Sequence, residues 1–360
     1  MSSRYTKARS VLRARLPEEV IALTRVARAA VDLAPAYLYD LKRYYKFSSS
    51  RGAEHNKLNL QAAITERYHS IEKGLSLPSP RPAFGAGPLR GLLDYVDIYL
   101  NMHGRDEFLD VVAGVLNEYL NFNSKAGVPS DSIPEYERIS RILDIVRDPD
   151  RDAGIKYIDR DSVFSATNNV NLDFFTSRSS VRQYTEEPIL ESEIIVATMA
   201  ALKSPAVCNR QFGKIYAFTD KVTIQKLLGV QGGANGFASE IRGLAIVTTN
   251  LRAYWNAGQR NQAWVDGGLF AMSFILGLHA QGIGSVCLNW SKKPAKDQEM
   301  RIAAGLPQED AIVMLIGFGK LRKEYVVASS SRVPVSQALI YDNGDDKCIV
   351  NKDEEMITNR

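Results

Sequence analysis

The sequence predicts an α+β protein in which an all-helical N-terminal domain precedes a domain of alternating helices and strands. In the first part of the chain, apolar residues recur at the three- and four-residue spacing of amphipathic helices. After the charged run 147–160, β-branched and aromatic runs of strand length alternate with helical segments. We therefore predict a helical domain at 1–165, a mixed domain at 166–342 and a polar, disordered tail at 343–360.

Five helices are predicted in the N-terminal domain. The first, Val20 to Ala34, runs towards Pro35, where a helix kinks or ends. The second, Leu58 to Lys73, is expected to stop at Gly74, a residue type suited to a left-handed C-cap. A proline-rich, ordered loop follows at Leu77 to Leu89. The remaining helices are predicted at Leu89 to Met102, Asp106 to Asn123 and Pro134 to Val146.

The second domain contains two predicted helices and four predicted strands. One helix covers Glu191 to Lys203. The other, Trp264 to Gln281, is apolar nearly all round and is therefore expected to be fully buried. The strands are predicted at Lys214 to Thr219, Leu244 to Thr249, Ser285 to Leu288 and Ala311 to Gly317.

Composition argues against several functional classes. A net charge of +4 over 360 residues is a weak case for nucleic acid as a partner. Three cysteines without CxxC spacing indicate neither a disulfide framework nor a zinc site, and they fit a reducing compartment. The best candidate for a membrane span, Val20 to Tyr39, is interrupted by three charged side chains. The basic N-terminus lacks the apolar segment of a signal peptide, so we expect a cytoplasmic protein with no membrane span.

The first of four segments that indicate chemistry is Ser177 to Arg182, with the sequence SRSSVR. Two arginines four residues apart, with hydroxyls between them, can form a cradle for a dianionic phosphate. The alternative is a solvated, arginine-rich start of a helix.

The other three segments carry weaker signals when each is taken alone. Ser204 to Gln211 is a loop between a helix and a strand, and its Asn and Gln can read the edge of a heterocycle. Gly282 to Trp290 has glycines that allow the backbone to approach a planar ligand closely. The fourth segment is Gly317 to Lys320 with Arg332 downstream, and it supplies another positively charged side chain late in the sequence.

Together, in this order, the four segments resemble the FMN-dependent nitroreductase family. The shared pattern is Arg-x-Ser-x-Arg, a Ser-Pro-x-x-x-Asn-x-Gln loop, a Gly-x-Gly-Ser turn after a long apolar helix, and a closing Arg-x-Pro. The resemblance covers roughly Leu172 to Asp342, just under half of the chain. It implies a three-layer α-β-α fold with a central, mostly antiparallel sheet, an FMN cofactor and a homodimer.

The resemblance also implies roles for individual residues. Arg178 and Ser180 would hold the FMN phosphate and ribityl chain, and Arg332 would reach the phosphate. Arg182 would lie at the pyrimidine edge and stabilise negative charge on the reduced ring. The backbone from Leu288 to Trp290 would line the reactive centre of the ring. The loop residues would come from the other subunit, and the full predicted set is Arg178, Ser179, Ser180, Arg182, Pro205, Ala206, Asn209, Gln211, Cys287, Leu288, Asn289, Trp290 and Arg332.

The chain departs from the family pattern at two points. Phe212-Gly213 stands where the family often has Pro-Trp. Cys208 and Cys287 lie close to the expected ring, where they are interpreted as small buried hydrophobic residues or, alternatively, as a redox-active pair.

Two signals in the N-terminal domain remain open. Glu66, His69 and Glu72 share a helix face, but a second such helix is absent, so no metal is predicted. The segment Tyr68 to Gly85 is either a helix end packed on a rigid loop or a lid over the flavin that selects the substrate.

The resulting hypothesis is an FMN-dependent oxidoreductase that moves a hydride from NAD(P)H to an electron-poor small molecule, with no dedicated acid residue. A flavin-dependent dehydrogenase or oxidase acting on a biosynthetic intermediate or peptide is the first alternative. The second is a non-catalytic flavin-binding scaffold.

Overall fold

The computed structural model describes residues 18–53, 56–146, 149–150, 153–168, 170–342 and 347–349. The basic N-terminal run and most of the predicted polar tail lie outside the described residues, so those predictions stay open. Within the tail, Lys347–Ile349 forms a short strand that pairs antiparallel with Ile340–Asp342.

The N-terminal part is all-helical, as predicted. Leu60 and Ile64 pack against Leu92, Val112 and neighbouring apolar residues in one buried cluster, which forms a core separate from that of the sheet. The helices of this core are α2 (Lys57–Leu75), α3 (Ala86–His103), α4 (Phe108–Lys125) and α5 (Tyr136–Ile145), and α1 (Glu18–Phe47) precedes them in the chain.

Two helix ends differ from the prediction. α1 continues through Pro35 to Phe47. α2 ends at Leu75 rather than before Gly74, which lies inside the helix. Gly74 is required by packing instead, because a Cβ there would lie 2.1 Å from the Phe84 ring. That ring is itself held edge-on against Tyr119, with centroids 5.3 Å apart, so it has little room to move.

The C-terminal part is built on one four-stranded sheet. Its strands are β1 (Gly213–Phe218), β2 (Gly243–Asn250), β3 (Ile283–Asn289) and β4 (Asp310–Lys320). All four strands were predicted, with ends that differ by at most three residues. All three strand pairings are antiparallel, and the order across the sheet is β1-β2-β4-β3.

Helices cover both faces of this sheet. Because side chains alternate along a strand, Leu244 and Ile246 of β2 point into one buried cluster, whereas Ala245 and Val247 point into another. The first cluster includes residues of α9 (Lys221–Gln231) and α11 (Pro294–Ala304), and the second includes residues of α8 (Glu191–Leu202) and α10 (Gln262–His279). The predicted three-layer α-β-α fold is therefore confirmed. This part of the chain also contains the short helices α6 (Arg160–Thr167), α7 (Leu172–Thr176) and α12 (Val335–Ala338).

The sequence prediction missed α9 and α11, although both carry end signals. The Asp220 carboxylate accepts a hydrogen bond from the Thr223 amide, which caps the start of α9. Pro294 occupies the first turn of α11, and Gly305 ends it in the left-handed conformation.

The expectation that α10 is fully buried is wrong for the single chain. Phe270, Phe274 and Leu278 are buried on the sheet side. The opposite side is exposed and apolar, and so is part of α8. The exposed residues on the two helices are Ile195, Val196, Met199, Leu202, Trp264, Val265, Leu269 and Met272.

The end of α1 packs on the sheet domain rather than on the helical core. Phe47 is buried together with Leu251, Tyr254 and Ala311. Arg43 donates to the main-chain oxygen of Asp310 at 3.0 Å. The boundary at residue 165 therefore remains a proposal, since α1 is fastened across it. Among the described helices, none is long and apolar enough to cross a membrane.

Candidate active site

The first and third predicted segments lie side by side. Ser180 forms an isolated parallel bridge with Ser285 of β3, and the Val181 amide donates to the Ser285 oxygen at 2.9 Å. The Tyr184 hydroxyl donates to the Val181 oxygen at 2.6 Å, which fixes the bend of this segment. The segment of arginines and hydroxyls thus runs along β3, the edge strand of the sheet.

The two arginines of this segment are placed differently. Arg178 is half-buried, and its charge acts on the Cys287 thiol of β3. Arg182 is exposed and lies over the Phe237 ring, 5.6 Å from its centroid. Ser179 and Ser180 are half-buried beside Arg178. One cation and two hydroxyls are therefore grouped at this edge.

The first four residues of β3 are buried, and only its second half alternates between the core and the open edge. Val286 and Leu288 are buried, whereas Cys287 and Asn289 are exposed on the other side. The interpretation of Cys287 as a small buried residue is thus wrong. Surrounding protein raises the pKa of its thiol, although the Arg178 charge opposes this, so the thiol stays protonated at neutral pH.

Trp290 is held by a buried carboxylate. Its indole Nε1 donates to Asp297 of α11 at 2.9 Å. The same carboxylate accepts from the Tyr39 hydroxyl of α1 at 2.7 Å and from Arg301 Nε at 2.7 Å. Asp297 thus joins α1 to the residue that follows β3, a link that the sequence prediction did not include.

The Asp297 pairing predicts a pH dependence of stability. Burial alone raises the pKa of Asp297, but the Arg301 charge and the hydrogen bonds from Tyr39 and Trp290 outweigh it and lower the pKa. A carboxyl with a lowered pKa stabilises the fold above its ordinary pKa of about 4, and this contribution is lost as the pH falls through the lowered value.

We therefore expect Asp297→Asn to destabilise the protein by about 1–3 kcal/mol at pH 7, with a difference from wild type that shrinks below about pH 4. Thermal unfolding measured from pH 7 to pH 3 tests this. Asp161→Asn, at a carboxyl that is 80% exposed, is the control and should follow wild type at every pH. A difference that stays constant across the range would contradict the prediction.

The second segment forms a loop with a strained backbone. Cys208, Asn209 and Gln211 adopt the left-handed conformation, with φ of 50°, 55° and 55°. Non-glycine residues occupy this region at an energetic cost and only where surrounding structure holds them. The Val207 amide donates to the Asp266 carboxylate of α10 at 3.3 Å. In the described part of the chain, no hydrogen bond or ion pair joins this loop to Arg178.

Arg210 anchors the same loop from inside the protein. Its side chain is buried and donates to the Ala253 oxygen at 2.6 Å and to Gln259 Oε1 at 2.9 Å. Its Nη2 also pairs with the Glu66 carboxylate of α2 at 3.0 Å. The Cys208 thiol, which is half-buried, donates to the other oxygen of Glu66 at 3.7 Å.

The possible metal face of α2 is thus occupied by other contacts. Glu66 pairs with Arg210, while His69 Nδ1 lies 2.8 Å from Glu72. Within the described residues, no group of three His, Cys, Asp or Glu could hold a metal ion. Glu66 matters instead through its contact with the loop, which sequence spacing could not predict.

The fourth segment is divided. Gly317 to Lys320 of β4 pairs with Ile283 to Val286 of β3, and the Thr185 amide donates to the Lys320 oxygen at 3.0 Å, so this part lies beside the first and third segments. Lys320 pairs with Glu193 of α8, and Arg332 is exposed and donates to the Ser330 oxygen of its own segment. The contacts of the described chain therefore do not bring Arg332 to Arg178.

The sequence of the sheet domain matches a known family. Residues 232–320, which are 89 of the 360 residues, match the nitroreductase family. This stretch contains β2, α10, β3, α11 and β4, so the match covers three of the four strands of the sheet. A comparison with curated proteins finds no match.

Several solved structures resemble the C-terminal half. An FMN-dependent nitroreductase from Clostridium difficile shares 17% identity at a TM-score of 0.41, covering 48% of this chain and 99% of its own. A nitroreductase family protein from Streptococcus pneumoniae shares 16% at 0.41, covering 48% and 99%. A protein from Desulfovibrio desulfuricans, described as a nitroreductase and solved in complex with FMN, shares 19% at 0.42, covering 48% and 97%.

Proposed function

We propose that residues 166–342 bind FMN and that the protein is an FMN-dependent oxidoreductase, which moves a hydride from NAD(P)H to an electron-poor small molecule. The observation that carries this proposal is the bridge between Ser180 and Ser285, which places the arginine–serine segment along a strand of the family match. Three cysteines without CxxC spacing are consistent with a cytoplasmic location.

The donors at the edge of β3 fit the phosphate end of FMN. A half-buried guanidinium with two neighbouring hydroxyls offers charge-assisted and neutral donors to a dianion. Arg178, Ser179 and Ser180 would hold this end, and Arg182 would lie near the ring. Cys287, Leu288, Asn289 and Trp290 would line the ring along β3, and FMN would supply the hydride chemistry.

Pro205, Ala206, Asn209 and Gln211 would contact the FMN of a second subunit. The strained conformation of Asn209 and Gln211 supports a binding role, since such strain concentrates at ligand sites. The exposed apolar residues of α8 and α10 support a homodimer, because contiguous patches of this kind mark interfaces. Arg332 would reach the phosphate only if its exposed segment packs differently in the dimer.

The test begins with the purified full-length protein. Bound FMN is expected from its flavin absorbance, and light scattering is expected to give twice the mass of 40.0 kDa. Under anaerobic conditions, NADH or NADPH should bleach the flavin, and an electron-poor quinone or nitroaromatic should restore its absorbance. A protein that neither retains nor takes up FMN would refute the proposal.

The same measurement separates the alternatives. If neither nucleotide bleaches the bound flavin within minutes, the direction of electron flow is wrong and a dehydrogenase or oxidase is favoured. If FMN is bound but turnover is negligible with every donor and acceptor tried, the scaffold is favoured.

A further inference from the structure

We propose that Glu66 of the helical region is a positioning residue for the flavin site, and this inference rests on the proposed function. Its carboxylate holds the 207–211 loop in the conformation that presents Asn209 and Gln211 to the cofactor. It would act through Arg210 and Cys208 rather than by touching the flavin.

The contacts of Glu66 bracket the strained part of the loop. One oxygen pairs with Arg210 at 3.0 Å, and the other accepts from Cys208 at 3.7 Å. Asn209 lies between these two residues, and Gln211 follows directly. All three left-handed residues are therefore either held by Glu66 or adjacent to a residue that it holds.

The Glu66 carboxylate is needed for its negative charge, which balances the positive charge of Arg210. Arg210 is 4% exposed, and its other partners are neutral: the oxygens of Ala253 and Gln259 and the Trp255 ring, whose centroid lies 5.7 Å from Cζ. A buried guanidinium without a counter-charge is costly, so loss of the Glu66 charge favours movement of Arg210 towards water. Movement of Arg210 releases the strain at its neighbours, because the surrounding structure no longer holds them.

The side-chain amides of Asn209 and Gln211 are the groups whose positions would change when the loop is released. Asn209 Oδ1 accepts from Gln211 Nε2 at 2.9 Å, so the two side chains form one unit. A unit that is fixed before the cofactor arrives binds without an ordering cost. The helical region would thus set the affinity and orientation of the flavin that the loop contacts.

The first arm of the test measures the loop itself by hydrogen exchange in the full chain. The amides of Val207, Asn209 and Arg210 are hydrogen-bonded in this loop. In Glu66→Gln, which keeps the size of the side chain, their exchange is expected to accelerate about tenfold, since the negative charge that pairs with the buried Arg210 is lost. Glu135→Gln is the matched control, because Glu135 also pairs with arginines on helices but is a half-buried residue directly before α5 of the helical part.

The second arm measures the flavin. Glu66→Gln is expected to weaken FMN binding about tenfold and to lower kcat at saturating FMN, whereas Glu135→Gln leaves both at wild-type values. Unchanged exchange in Glu66→Gln would overturn the inference, as would faster exchange with unchanged FMN affinity and kcat. Wild-type protein without FMN would overturn the proposed function and this inference together, so the two failures are distinguishable.

Discussion

Arg178→Ala is expected to lower the affinity for FMN about 10- to 150-fold, because one charge-assisted hydrogen bond to phosphate contributes about 1.5–3 kcal/mol. Arg178 is half-buried at the edge of β3, where water competes less for the phosphate than it does at the surface. Fluorescence titration of the apoprotein with FMN gives the ratio of dissociation constants.

Two further variants make this result specific. Arg178→Lys keeps the charge but not the two-pronged geometry, so it should fall between wild type and Arg178→Ala. Arg160→Ala removes an arginine that is 79% exposed and should bind FMN like wild type. Full retention of FMN by Arg178→Ala would place the phosphate elsewhere.

The sheet domain was predictable because its strands are encoded locally. The run Ala311 to Gly317 is apolar and β-branched over the length of a strand, and it forms the middle of β4. The apolar surface of α10 predicted burial, but the sequence does not say whether the covering surface is in the same chain. In the single chain, Trp264 and Leu269 of this helix are exposed, so no surface of the described part of the chain covers them.

The links between the two parts of the chain were not predictable. Glu66 and Arg210 are far apart in sequence, and each looks like an ordinary surface residue in its own segment. The sequence around Tyr39 indicates only an amphipathic helix, yet the Tyr39 hydroxyl donates a hydrogen bond to the Asp297 carboxylate. Such contacts follow from tertiary packing, which periodicity and spacing do not encode.

These links give the helical region a definite relation to the candidate site. α2 holds the 207–211 loop through Glu66, and α1 holds Trp290 through Asp297. In the proposed dimer, the 207–211 loop and Trp290 would contact the flavin from opposite subunits. Changes in the helical region should therefore affect the flavin environment even without direct contact.

The largest effect on stability is expected at Asp310, the first residue of β4. Its carboxylate is 0% exposed and accepts from Tyr216 at 2.6 Å and from Asn250 at 2.7 Å. Thr248 and Lys214 lie farther away, at 3.4 and 3.5 Å. Burial, and then the neighbouring carboxylate, raise the pKa of Tyr216, so its phenol remains a donor at neutral pH.

Asp310→Ala leaves the donors of the buried Asn250 and the half-buried Tyr216 unpaired, at a cost of about 1–3 kcal/mol each. We expect a total loss of about 3–5 kcal/mol and a fall in Tm of about 10 °C. Asp310→Asn keeps the size of the side chain and one acceptor, so it should lose roughly half as much. Asp161→Ala, at an exposed carboxyl, should unfold like wild type. If Asp310→Ala melts within about 2 °C of wild type, the network around β1 and β2 does not depend on this carboxylate.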